Sequence, residues 1–213
     1  MKKLITTVAI LACAPFAQSA LAGGMESLES FVKTAKTGKA EFSQVVTAPG
    51  KDGQAARSKT STGTFEFSRP ARFRFDYKKP FEQTIVADGQ TLWLYDVDLK
   101  QVTSRKQAQV LGSTPAALIA SSPDLSALKK DFTLEAIADR DGMQWVQATP
   151  RAKNGQLHSV KIGFKGNDLS ALDILDSFGQ RSVISFNKME LNAGVSPDSF
   201  QFKPPVGVDV VKQ

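Results

Sequence analysis

The chain has 213 residues, 27 Lys and Arg against 21 Asp and Glu, and a formal charge of +6, so it is one domain or at most two. Its cations are scattered with no run of five or six, which argues against a nucleic-acid stripe and allows weak attraction to anionic lipid or an acidic partner face. A single cysteine, Cys13, and a single histidine, His158, exclude a disulfide framework and leave little material for a zinc site or a histidine-based triad.

The first 22 residues, MKKLITTVAILACAPFAQSALA, have a basic start (Lys2, Lys3), a short apolar run and a small-x-small end at Ala20-Leu21-Ala22. That is the pattern of a secretory signal peptide. The run falls short of the ~20 apolar residues of a membrane span, and Pro15 and Gln18 interrupt it. Residues 1–22 are therefore expected to be removed, leaving 23–213 as one domain whose stability in an oxidising compartment rests on packing alone. Ile10-Leu11-Ala12-Cys13 is a loose lipidation signal, but the apolar run before it is short and a better cleavage site lies downstream.

Past Gly23-Gly24, Leu28, Phe31, Val32 and Ala35 fall at i, i+3, i+4, i+7 and predict a helix that stops at Gly38. AEFSQVVT (40–47) reads as a strand, followed by a polar loop and then FEFSRPARFRFDY (65–77). In that stretch Phe65, Phe67, Phe73, Phe75 and Tyr77 share one face by the twofold period of a strand, with Arg69 among them and a turn expected at Pro70. QTIVADGQTLWLYD predicts a hairpin about Asp88-Gly89, with Ile85 facing Leu92 and Val86, Trp93 and Tyr95 on the other side. Both faces are apolar, so both need cover.

The strand rhythm breaks at STPAALIASSPDLSALKK (113–130), where two short helices are expected. Thr114 would cap the first ahead of Pro115, and Ser122 the second ahead of Pro123. The first carries Leu118 and Ile119, the second Leu125 and Leu128. Neither is long enough to stand alone in water, so both must lie on something apolar. Strands resume with FTLEAIAD, with turns at Asp141-Gly142, Asn154-Gly155 and Phe178-Gly179, and the chain ends in the tail SFQFKPPVGVDVV. The sum is a mainly β (α+β) fold of nine to eleven antiparallel strands that curls to protect its edges, with the short helices as cover for its mouth.

Candidate catalytic groups are few. His158 lies mid-strand and no Gly-x-Ser-x-Gly elbow occurs, so it reads as a surface or packing residue. Asp96 and Asp98 share a face and read as a solvated turn ahead of a weak calcium site. A carboxylate-pair hydrolase has only generic Asp and Glu behind it. Arg69 is the residue that needs an explanation. In an ordinary sheet core the Pro70 turn would let it reach water. If instead it faces an apolar hollow, its donors must be satisfied. Asp124 is the only carboxylate in 113–130. Unpaired carbonyls at the end of the first short helix, near Leu118, Ile119 and Ala120, are the alternative. Arg69 would then latch a helical lid over an aromatic-lined hollow.

Five segments in order, AEFSQVV, FEFSRPARFRFDYKKP, QTIVADGQTLWLYDVDLKQV, TPAALIAS and FQFKPPVGVDVV, resemble the LolA family of periplasmic lipoprotein carriers over nearly the whole mature chain. The resemblance implies an incomplete antiparallel β-barrel of about eleven strands closed by a helical lid. It implies a monomer without cofactor or enzymatic activity. The acyl-chain cavity would be lined by Phe65, Phe67, Phe73, Phe75, Tyr77, Trp93, Tyr95, Leu118 and Ile119. The family's arginine before proline matches Arg69-Pro70, its following aromatic matches Phe73, and Phe75 stands where relatives often carry Trp. Loading by the inner-membrane complex LolCDE and delivery to the outer-membrane receptor LolB are implied as well. The receptor itself shares the fold but carries an N-terminal lipidated cysteine, for which Cys13 is poorly placed. A lipid-binding envelope sensor of similar half-barrel form stays open as the other alternative.

Overall fold

The computed structural model describes residues 23–50, 55–110, 115–120, 124–152 and 155–213. The expected leader, the caps at Thr114, Ser122 and Pro123, and the turn residue Asn154 lie outside the described residues. The chain begins with α1 (Gly23–Thr34), then β1 (Thr37–Ala48), β2 (Arg57–Ser68), β3 (Arg72–Lys79), β4 (Gln83–Ala87), β5 (Thr91–Asp96) and β6 (Gln101–Lys106). Three short helices follow: α2 (Gln107–Val110), α3 (Pro115–Ala120) and α4 (Leu125–Asp131). The second half is β7 (Phe132–Arg140), β8 (Met143–Pro150), β9 (Leu157–Lys165), β10 (Asp168–Asp176) and β11 (Arg181–Leu191). A 3-10 turn (Pro197–Phe200) and β12 (Asp209–Lys212) end it.

All twelve strands form one sheet in the order β12-β6-β5-β4-β3-β2-β1-β11-β10-β9-β8-β7. Neighbours are antiparallel except β12, which runs parallel to β6. The sheet curls but does not close, because β12 and β7 stand at its two ends. The incomplete barrel expected from the sequence is therefore present, with one strand more than the expected eleven. That strand is β12, short, fully exposed and set in a Pro/Gly-rich tail, so it carries no alternating pattern to read.

Long β1 holds the barrel together, pairing β2 on one side and β11 on the other, so the two halves of the chain meet across it. Gly63 of β2 sits under the Phe42 ring, and a Cβ there would fall 2.0 Å from the Asp76 carbonyl oxygen, so only glycine fits. The space lets Phe42 meet Phe75 and Tyr77 edge-on, at 5.4 and 5.0 Å between ring centres. Helix α1 lies inside one end, burying Leu28, Phe31 and Val32 as its spacing predicts, with Ala35 buried just past its end; it stops at Thr34 and not at the expected Gly38, which β1 takes up as its second residue.

The outer face of β7–β11 carries an ion cluster. Asp173, 5% exposed, accepts from Arg181 Nε and Nη2 at 2.7 Å and from Arg140 Nη2 at 2.8 Å. Burial alone would push this carboxyl up, but the hydrogen bonds and charges of Arg181 and Arg140 outweigh it and hold it below the usual carboxylate range. A depressed folded value stabilises the fold above the unfolded value of about 3.9, and that stability is lost as pH falls through the folded value. Asp173→Asn is expected to cost about 2 kcal/mol at neutral pH, discounted for the half-exposed arginines. Urea melts of the variant between pH 2 and 5 should be flatter with pH than those of the parent.

Candidate functional site: an apolar hollow under a helical lid

The curvature turns alternate residues of each strand inward. Phe67 opposes Phe73, Phe65 opposes Phe75 and Gly63 opposes Tyr77, and the next strand adds Ala87, Ile85 and Gln83 in the same rows. The aromatic face of FEFSRPARFRFDY is thus the inner wall. Phe65 and Phe67 are fully buried, and Phe65 and Phe75 lie 4.4 Å apart. Under these rings a hollow of about 240 Å³ remains, lined by Phe73, Phe75, Tyr77, Ile85, Leu92, Leu94, Leu172, Ile174 and Ile184, with the Gln44 amide at its edge. Burial pushes the Tyr77 hydroxyl up to about 12, the mark of a phenol held out of water.

Of the other residues expected to line the hollow, Phe65, Phe67, Leu118 and Ile119 are packed in the core and do not border it, and Trp93 and Tyr95 are not part of this wall. Ala87 opposes Leu92 and Ile85 opposes Leu94, two residues off the expected register, and Ala87 and Ile85 continue the inward rows of Phe73 and Phe75. Leu92 and Leu94 therefore face the hollow, while Trp93, opposite Val86, and Tyr95 face outward. The tail covers them: the Phe202 ring packs at a tilt against Trp93 at 5.6 Å and Tyr95 at 6.1 Å between ring centres. Trp93 Nε1 donates to Asp88 Oδ2, which the turn supplies. The need for cover on both faces of the hairpin was legible, and the C-terminal segment provides the outer one.

Helices α2, α3 and α4 bridge β6 to β7 across the open side. Leu118, Ile119, Ala120 and Leu128 are buried in the common core. Helix α4 starts at Leu125 with Asp124 as its cap, accepting from the Ala127 N–H, and not at the expected Ser122-Pro123. The carboxylate reaches the helix's unpaired amide at the usual capping distance, which fixes the start.

The turn Arg69-Pro70-Ala71 joins this lid to the sheet. The Arg69–Pro70 peptide is cis and Ala71 is left-handed at φ 61°. Ala71 N–H donates to the Ala120 carbonyl, the last of α3, at 2.8 Å. Ala71 C=O accepts from Gln107 Nε2 at 2.5 Å. The Gln107 side-chain oxygen accepts from Gly89 N–H at 2.9 Å, and its backbone N–H donates to Gln90 C=O at 2.8 Å. Gln107 is 1% exposed, a buried polar residue at the root of the lid. Sequence reading missed both α2 and Gln107, since one glutamine in a polar stretch gives no signal until the fold buries it. Gln107→Ala would strip partners from Ala71 C=O and Gly89 N–H. A loss of about 1–3 kcal/mol is expected, with faster hydrogen exchange at Gly89, read by NMR.

Arg69 itself is half-buried. Its N–H donates to Lys36 C=O at 2.8 Å, and its guanidinium lies over the Phe31 ring at 5.4 Å. Burial lowers it to about 10, so the group sits in a poorly solvated place. The turn thus meets the carbonyl end of α3 where expected, and the Ala71 backbone N–H, two residues past Arg69, bonds to it. Pro70 is exposed at its apex.

Elsewhere the chemistry is structural. His158 is exposed on β9. Asp96 accepts from the Leu99 N–H and closes the β5–β6 turn. A larger recess of about 720 Å³ beside α4 is lined by Lys130, Asp131, Arg151 and Gln156 among others, too polar a wall for hydrocarbon.

An open half-barrel with an apolar inner wall and short helices across its open side suits hydrocarbon chains. It belongs to the class of lidded β-sheet lipid carriers. Residues 33–203 match the model of the family described as outer membrane lipoprotein carrier protein LolA, and the chain is a member of that family. It is 64% identical to the outer-membrane lipoprotein carrier protein of Albidiferax ferrireducens over 96% of this chain and 98% of the relative. The protein of the same name from Methylibium petroleiphilum is 51% identical, covering 92% and 93%. Among solved structures, an uncharacterized conserved protein from Thermus thermophilus matches 89% of this chain and 96% of its own with a TM-score of 0.50 at 11% identity, a likeness of fold alone.

Proposed function

We propose that this chain is a periplasmic carrier that shelters the acyl chains of lipoproteins on their way to the outer membrane. It does so by binding alone, without catalysing a reaction. The observation that carries the reading is the apolar hollow in the curve of the sheet, beside short helices that meet the sheet at Ala71 through one backbone bond and one Gln107 side-chain bond. Membership in the carrier family and the names of its close relatives support it. Export through a leader cleaved after Ala22, loading by LolCDE and delivery to LolB fit the same reading.

The magnitudes favour a reversible container. A hollow of 240 Å³ holds about eight water-sized groups. Burying about eight methylenes gives about 6 kcal/mol at ~0.8 kcal/mol each. A whole chain of about 16 carbons would reach about 13 kcal/mol, and two such chains would exceed the practical ceiling of about 20. The closed hollow is thus too small for a full cargo, and the lid must lift to admit more. Bonds broken on lifting offset part of the gain, so the cargo stays releasable. In this reading the Arg69 guanidinium, with Pro70 shaping its turn, holds the lid against Leu118, Ile119 and Ala120 in the empty state.

The test is native mass spectrometry of the chain purified from the periplasm and mixed with a synthetic lipopeptide bearing two ester-linked palmitoyl chains. A one-to-one complex that exchanges cargo supports the carrier. Binding of phospholipid with refusal of the lipopeptide would replace it with a lipid-binding sensor.

A further inference from the structure

Polarity along the inner face of the sheet is graded. Toward the lid the inward positions are Phe65, Phe67, Phe73 and Ala87, and the space there is filled by Phe31, Leu118 and Ile119, all buried. Two residues at a time toward the other end, the same rows change character. On β2 they run Phe65, Gly63, Ser61, Lys59, and on β1 Phe42, Gln44, Val46. On β4 they run Ala87, Ile85, Gln83, and on β5 Leu92, Leu94, Asp96. The distal positions line a second hollow of about 540 Å³ that includes Lys59, Ser61, Gln83, the carboxylates Asp96 and Asp98, and the apolar Val46, Phe81 and Leu99. Gln44 and Tyr77 border both this hollow and the apolar one, so the two adjoin through a shared wall.

The surroundings of this mouth fit something half polar. Phe81 and Leu99 are exposed at its rim, and the Lys59 amine sits 4.3 Å over the Phe81 ring. Gln44 Nε2 donates to Ser182 Oγ across β1 and β11 at 2.6 Å, setting an amide dipole at the boundary. An amphiphile placed in the joined hollows meets hydrocarbon walls at one end and hydrogen-bonding groups at the other. Reversed, its head would lie among Phe73, Phe75, Leu92 and Ile184, with its carbonyls left unsatisfied.

We infer that the distal hollow is the head-group site: it takes the glyceryl ester end of a doubly acylated cargo, whose chains run from there toward the lid, so that the cargo's peptide leaves the carrier between the β3–β4 and β5–β6 turns. The inference rests on the carrier reading and adds an orientation to it. The ester carbonyls fit the donors of Lys59, Gln44, Ser61 and Gln83. The glyceryl ester is common to a lipoprotein's N-terminus and a phospholipid, and the test separates the two.

Benzoylphenylalanine is placed at Phe81, Leu99, Ile85 or, on the lid, Leu125. Each variant is irradiated with a dipalmitoyl lipopeptide biotinylated on its peptide, and in a second arm with dipalmitoyl phosphatidylethanolamine biotinylated on its head. Ester hydrolysis afterwards leaves biotin attached only where the link was through the head. At least a tenfold excess of retained biotin at Phe81 and Leu99 over Leu125 is expected. If only the lipopeptide gives it, the source is a lipoprotein; if both do, the glyceryl ester suffices. Equal yields, or an excess at Leu125, would overturn the orientation. A lipopeptide with an alkyne at its chain end, tested at Ile85, checks the carrier reading separately: no tail capture there sinks that reading, whereas tail capture with the head at the lid sinks only the orientation.

Discussion

Arg69→Leu is expected to fold, load and then fail to let go. Leucine suits the poorly solvated place beside Phe31, and the Ala71–Ala120 and Gln107–Ala71 bonds do not involve the Arg69 side chain. The closed lid should therefore still form. In the proposed latch role, what is lost is the cost of opening the lid: charge-assisted hydrogen bonds contribute about 1.5–3 kcal/mol each. With that cost gone, the loaded open state is favoured by the same amount, and each 1.4 kcal/mol is about tenfold in equilibrium. Transfer of a bound lipopeptide to purified receptor should slow by about tenfold or more, with circular dichroism unchanged. Transfer at the wild-type rate would leave Arg69 with no latch role, and the lid would hang on the backbone bonds alone.

Phe73→Glu should act at the opposite step. Phe73 is 2% exposed, packs edge-on against Phe75 and lines the apolar hollow. A carboxylate there either draws water into the hollow or takes up a proton, and both make the wall worse for methylenes. Loss of loading by about a hundredfold is expected, measured as lipopeptide bound per carrier. Phe73→Leu is the control for packing, since it keeps an apolar wall. It should load within a fewfold of the parent even if its melting temperature drops. Equal loading by the Glu and Leu variants would remove this wall from the binding site.

The inner wall was readable because alternation survives in a twisted sheet: one face of residues 65–77 is aromatic in the sequence and inside in the fold. Helix α1 was readable for the matching reason, a 3.6-residue stripe with nothing to disturb it. The β4–β5 hairpin was not, beyond its existence. Both its faces are apolar, so periodicity cannot say which one looks inward, and only the pairing of β4 with β3, Ile85 beside Phe75, decides against Trp93 and Tyr95. The cover over those two rings comes from Phe202, over a hundred residues along the chain, where local pattern has no reach. The lid's position followed from its short apolar helices, but its fastening did not. Two bonds at that junction involve the Ala71 backbone and the Gln107 amide, and main-chain partners leave no mark on residue type.

The central claim is that helices α2–α4 move off the sheet when the hollow fills. The chain from Gly23 onward contains no cysteine, so two introduced thiols can be labelled cleanly. Spin labels at Ser126→Cys on α4 and Thr62→Cys on β2, both exposed, would report the lid-to-sheet distance by pulsed electron resonance. One narrow distance for the empty carrier, lengthening by several ångströms on addition of dipalmitoyl lipopeptide, is the result predicted. An unchanged distribution in a sample shown to be fully loaded would contradict the account.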